Sequence, residues 1–146
     1  AMNAGAEIHK VPRDLVDEAW LHARCLIDRG RAVAPNLLNE GTLQRLRDTT
    51  LQLWFVLERG ELLAVFFTDV QATPTGQQVL CVQGLGGRQM WRWSRRMQAE
   101  MIRFARHHNC DAVRFVGRKA YERLFEDVRI LEPASDGQSV YERAIQ

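Results

Sequence analysis

The stretch Val79–Val116, VLCVQGLGGRQMWRWSRRMQAEMIRFARHHNCDAVRFV, decides the fold. Val79–Val82 is a short apolar run that reads as a buried strand. Gly84-Leu85-Gly86-Gly87 then breaks the pattern. From about Gln89 to His108, the residues Met90, Trp93, Met97, Met101, Phe104 and Ala105 recur at spacings of three and four, which predicts a long amphipathic helix. Asn109 follows as a left-handed C-cap, and Ala112–Val116 is the next strand.

Upstream, Leu51–Leu57 and Leu62–Val70 read as two strands joined by the tight turn Glu58-Arg59-Gly60-Glu61. A second turn at Thr73-Pro74-Thr75-Gly76 leads into Val79–Val82, so three strands form an antiparallel meander. Further back, Glu7–Val11 alternates as a first strand. Pro12–Asp28 follows as a helix with Leu15, Val16, Ala19, Trp20, Ala23, Leu26 and Ile27 inward, ended by Gly30. Residues 31–38 form a loop around Pro35, and Asn39 caps a shorter helix to Asp48 with Leu43 and Leu46 inward. Downstream, Lys119–Phe125 gives one or two helical turns. Strands Val128–Leu131 and Val140–Ile145 are joined through Pro133-Ala134-Ser135-Asp136-Gly137.

The chain has 146 residues, 46% of them hydrophobic and 26% charged, which suits one globular domain and excludes wholesale disorder. Residues 2–146 form that domain; Ala1-Met2 reads as a tag remnant followed by an initiator. No apolar run approaches the roughly 18 residues of a membrane span, and no secretory signal is visible. A net charge of +2 does not point to a polyanion. Cys25, Cys81 and Cys110 are odd in number and widely spaced, so a reducing cytoplasm is expected rather than a disulfide framework.

The order β-α-α-β-β-β-α-β-α-β-β resembles the GNAT superfamily of acetyltransferases. The hairpin WFVLERGELLAVFFTDV (54–70) and the stretch MQAEMIRFARHHNCDAVRFVGRKAYERLF (97–125) carry the likeness. Ala105, Cys110, Asp111, Val113, Gly117 and Arg118 resemble a pattern of small phage- and prophage-encoded GNAT-like proteins, several with a degenerate acetyl-CoA motif. The resemblance implies a single-domain α/β fold with a mixed sheet, in which the fourth and fifth strands are parallel and splay apart to receive an acyl-pantetheine arm.

It also implies acetyl-CoA as cosubstrate and no metal. Gln83, Gly84, Gly86, Gly87 and Arg88 would then lie near the pyrophosphate. Glycine matters in such a cradle because a Cβ would block the backbone's approach, and the helix start supplies partial positive charge. Arg88 stands where the family has a small residue, so its guanidinium either fills the phosphate site or pairs with a phosphate. Arg92, Arg95 and Arg96 either meet the 3′-phosphate of CoA or form a solvated helix face.

Acyl transfer to an amine needs a base, a stabilised oxyanion and an acid for the leaving thiolate. The family's acid is a tyrosine after the fifth strand; here Tyr121 lies about a turn early. Glu100 lies among the apolar residues of the long helix, either as a buried acid of raised pKa or as a helix-edge partner of Arg96 or Arg103. Glu58, Glu61 and Asp69 are expected at the surface, and Cys81 as inert core. His22/Cys25 and His107/His108/Cys110 lack the convergent spacing of a metal site.

The alternation of Arg with Trp at 91–96 invites a nucleic-acid reading, but Trp93 belongs to the core face and only Trp91 is left over. Trp20 and Trp54 also read as core. The expected function is transfer of acetyl from acetyl-CoA to an unidentified small-molecule or protein amine. The alternative is a catalytically inactive phage or prophage protein of the same fold that acts through protein–protein contacts. A homodimer is left open.

Overall fold

The computed structural model describes residues 5–26, 39–87, 89–118, 123–133 and 138–145. Its strands are β1 (Glu7–Lys10), β2 (Gln52–Glu58), β3 (Glu61–Ala72), β4 (Gln78–Gly87), β5 (Ala112–Arg118), β6 (Arg129–Pro133) and β7 (Gln138–Ala144). Its helices are α1 (Val16–Leu26), α2 (Glu40–Arg47) and α3 (Met90–His107), with a 3₁₀ turn at Arg13–Leu15. The strands form one sheet in the order β1-β2-β3-β4-β5-β7-β6, and β4–β5 is its parallel pair.

Local chemistry explains the boundaries. Arg59 (φ 53°) and Gly60 (φ 79°) take consecutive left-handed conformations, the turn that matches the twist of a two-residue hairpin. The Asn39 side chain accepts from the Thr42 amide at 2.9 Å and starts α2. Asn109 (φ 57°) ends α3; the amides of His108, Asn109 and Cys110 bond back to the carbonyls of Phe104, Ala105 and Arg106.

The sheet separates two apolar layers. On one face Trp93, Met97, Met101 and Ala105 of α3 pack on Phe66, Leu80, Val82, Val113, Phe115 and Tyr141. On the other, Val16, Ala19, Trp20 and Ala23 of α1, with Leu43 and Leu46 of α2, cover Leu53, Val65 and Phe67. The inner strand β3 is buried on both sides, so Leu63–Phe67 is continuously apolar rather than alternating. Full burial of side chains such as Met97 and Met101 contributes roughly 1.5–3 kcal/mol each.

Two expectations are corrected. Leu15 is 47% exposed, because the chain enters α1 through a 3₁₀ turn whose period of three shifts it off the inward face. The glycines after Val82 do not end the strand: β4 runs to Gly87, with Gly86 and Gly87 paired to Val65 and Ala64 of β3. Ile27, Gly30, the loop 31–38, residues 119–122 of the predicted short helix and residues 134–137 lie outside the described residues.

Candidate acyl-CoA site

The parallel pair is fastened at one end and open at the other. At the fastened end the Asp111 carboxylate accepts from the Gln78 amide at 2.9 Å, and the Asp111 amide donates to the Gln78 carbonyl at 2.7 Å. Four rungs follow: Val79↔Ala112, Leu80↔Val113, Cys81↔Arg114 and Val82↔Phe115. Beyond them both strands continue, but apart. Gln83–Gly87 stays paired with β3, and Val116–Arg118 stays paired with β7.

A bulge in β4 accompanies this parting. Between the pairs Phe67↔Gln83 and Val65↔Gly86, β3 advances two residues and β4 three. The extra residue sits beside Gly84, whose φ of 67° is the left-handed value that glycine tolerates. A bulge bends its strand, and this one begins where the pairing with β5 stops. Successive residues of a strand direct their backbone groups to opposite sides. One of Gly86 and Gly87 therefore faces β3 and the other faces the gap.

The start of α3 stands at the mouth of this gap, three residues beyond Gly87. Gln89 precedes it with φ 57° and caps it with no side-chain hydrogen bond, and no acidic residue lies in its first turn. The positive end of an 18-residue helix is thus left without a carboxylate partner of its own. An extended, amide-bearing ligand ending in an anion fits this set: strand-edge groups for the chain, helix amides for the anion.

The charged residues around the mouth are mostly engaged. Arg92 donates to Glu58 Oε2 on the hairpin and to Gln89 Oε1, both at 2.8 Å. Arg95 pairs with Glu126 at 3.1 Å, and Arg96 donates to the Ala6 carbonyl at 2.8 Å. Arg92, Arg95 and Arg96 thus each have a protein partner. Buried Gln98 fixes the segment after β5 to α3: its amide nitrogen donates to the Leu124 carbonyl at 2.7 Å, and its oxygen accepts from the Glu126 amide at 2.9 Å. No local pattern marks Gln98, since both partners lie more than 20 residues away.

Of the predicted site residues, Gln83, Gly84, Gly86 and Gly87 lie together on the diverging end of β4. Arg88 and Tyr121 lie outside the described residues. Glu100 is not a buried acid: Arg103 grips its two oxygens at 2.6 and 2.9 Å on the helix edge. Asp69 is not at the surface. It is buried on the inner strand β3, where it accepts from Arg45 at 3.0 Å and from Gln71. Beside it, burial first and the Asp69 charge second push the Cys81 thiol up to about 11, which keeps it protonated and inert as expected.

Among the described residues no group of three His, Cys, Asp or Glu could hold a metal ion, and no helix is long and apolar enough to cross a membrane. Trp93, Trp20 and Trp54 are core, while Trp91 is 72% exposed.

No family model matches the chain, and no curated protein matches it. Solved structures do. The GNAT domain of S. lividans PAT superposes with TM-score 0.65 at 12% identity, covering 96% of this chain and 90% of that one. A GNAT-family acetyltransferase from Staphylococcus aureus Mu50 gives 0.61 at 9% identity over 97% and 100%. A predicted acetyltransferase from Clostridium acetobutylicum, solved with acetyl-CoA, gives 0.57 at 17% identity over 84% and 90%. At such identities the likeness establishes the architecture: a mixed seven-stranded α/β sheet with the GNAT arrangement.

Proposed function

We propose that this chain is an acyl-CoA-dependent N-acyltransferase that moves an acetyl group from acetyl-CoA to a primary amine in the cytoplasm. One observation carries the reading. β4 and β5 part after Val82 and Phe115 while both continue, directly beside an α3 start that has no acidic residue in its first turn. A closed parallel pair would offer no such gap. Support also comes from neighbours of the same fold, one of them solved with acetyl-CoA.

In this reading Gln83, Gly84, Gly86, Gly87 and Arg88 surround the pyrophosphate. The pantetheine arm lies along the unpaired edge of β4 and brings the thioester into the gap. The amine nitrogen attacks the thioester carbon, a backbone amide of β4 steadies the oxyanion, and the C–S bond breaks as the N–C bond stays. The ammonium loses its proton to water, and Tyr121 protonates the departing thiolate. Glu100 is not assigned the base role, because Arg103 occupies both of its oxygens.

The test is thiol release from acetyl-CoA across a panel of small amines and lysine peptides. Amine-dependent release by the wild type, lost in Tyr121→Phe, supports the assignment. Binding of acetyl-CoA without release by any amine points to the inactive scaffold, and absence of binding removes the reading altogether.

A further inference from the structure

A second cavity lies at the opposite end of α3 from the gap, where β1, the start of β2, α2 and the C-terminus of α3 meet. It encloses about 280 Å³. Leu46, Leu53 and Phe104 line its apolar part; the first two are core residues, so the cavity reaches inward from the surface. Lys10, Arg13 and His108 line it as well. No aspartate or glutamate lines it.

Many arginines of this molecule find carboxylates: Arg45 with Asp69, Arg47 with Asp17, Arg92 with Glu58, Arg95 with Glu126, Arg103 with Glu100, and Arg114 and Arg129 with Glu142. Here Arg13 spends only its Nε, on the Arg47 carbonyl at 2.7 Å. Lys10 Nζ sits 5.8 Å from the centre of the Phe104 ring, which positions it over an apolar wall. His108 packs on that same ring, centroids 4.2 Å apart. Partial burial, then the charges of His107 and Lys10, push the His108 pKa below its ordinary value.

We propose that this cavity binds a small monocarboxylate with an apolar tail, its carboxylate between Lys10 and Arg13 and its tail against Leu46, Leu53 and Phe104. Charge complementarity selects the head and the wall selects the tail. The proposal is independent of the acyl-CoA reading, since the gap lies at the start of α3 and the cavity at its C-terminus.

The experiment is calorimetric titration of the full chain with sodium octanoate, and with 1-octanol as the uncharged control. Saturable one-to-one binding of octanoate is expected, at least about tenfold tighter than octanol. Lys10→Gln with Arg13→Gln should weaken octanoate about tenfold, while Arg103→Gln, outside the cavity, leaves it unchanged. Thermal melting of each variant confirms that it folds. Octanoate must still bind when acetyl-CoA is present in excess. Absence of heat at millimolar octanoate, equal affinity for octanol, indifference to the double substitution, or competition by acetyl-CoA would each overturn the proposal.

Discussion

Replacing Glu142 with glutamine should destabilise the protein at neutral pH and cease to matter in acid. Glu142 is a buried carboxylate on β7 that ties three strands together. It accepts from Arg114 Nε of β5 at 2.9 Å, and from Arg129 of β6 at 2.6 and 3.2 Å. A hydrogen bond to a charged group is worth about 1.5–3 kcal/mol. The Arg114 side chain is 31% exposed and keeps much of that value, whereas Arg129, at 73% exposed, is screened toward the ~0.2–1 kcal/mol of a surface pair. The expected loss is about 2–3 kcal/mol. For a chain of this size that lowers the melting temperature by roughly 4–12 °C.

The pH dependence follows from the direction of the shift. Burial alone would raise the Glu142 pKa, but the hydrogen bonds and charges of Arg129 and Arg114 outweigh it and hold the carboxyl below the ordinary glutamate range. A group whose folded pKa is depressed contributes fully above its unfolded value, about 4.3, and loses that contribution as pH falls through the folded pKa. Urea unfolding of wild type and Glu142→Gln at pH 7 and at progressively lower pH reads this directly. The gap should be widest at pH 7 and close in acid. A gap that is the same at all pH values, or below about 0.5 kcal/mol at pH 7, would refute the clamp as described.

Other positions yield narrower predictions. Asn39→Ala removes the cap of α2 and should cost about 1 kcal/mol in denaturant unfolding, with Asn39→Ser recovering most of it. Met97→Ala opens a cavity under α3 and should cost about 2–5 kcal/mol, enough to be seen as a marked drop in thermal midpoint. In a timed alkylation at pH 8 read by mass spectrometry, exposed Cys25 should be modified well before Cys81, whose thiol stays protonated.

Where neighbours in sequence set the structure, the sequence was readable. The α3 period, the Asn109 terminus, the Asn39 cap and the Arg59-Gly60 turn all rest on contacts within a few residues. The glycine segment misled because glycine breaks a pattern locally, whereas its fate here was decided by Val65 and Ala64, some 20 residues earlier in β3. One extra residue and the φ of Gly84 turned an expected loop into a bulged strand. Asp69 looked like a surface acid because its partner, Arg45, comes from a helix 24 residues away. The Glu100–Arg103 pair, one helical turn apart, was among the expected alternatives. For the candidate site, residue types at 83–87 drew attention to this end of β4, but the parting of β4 from β5 is a property of the sheet, set by Asp111 at one end and the bulge at the other.

Calorimetric titration with acetyl-CoA, run in parallel on wild type and Gly86→Leu, tests the central claim most directly. One saturable site in the wild type, lost in the variant while its thermal midpoint holds, is the predicted result. No heat from the wild type at millimolar acetyl-CoA, or equal binding by both proteins, would contradict it.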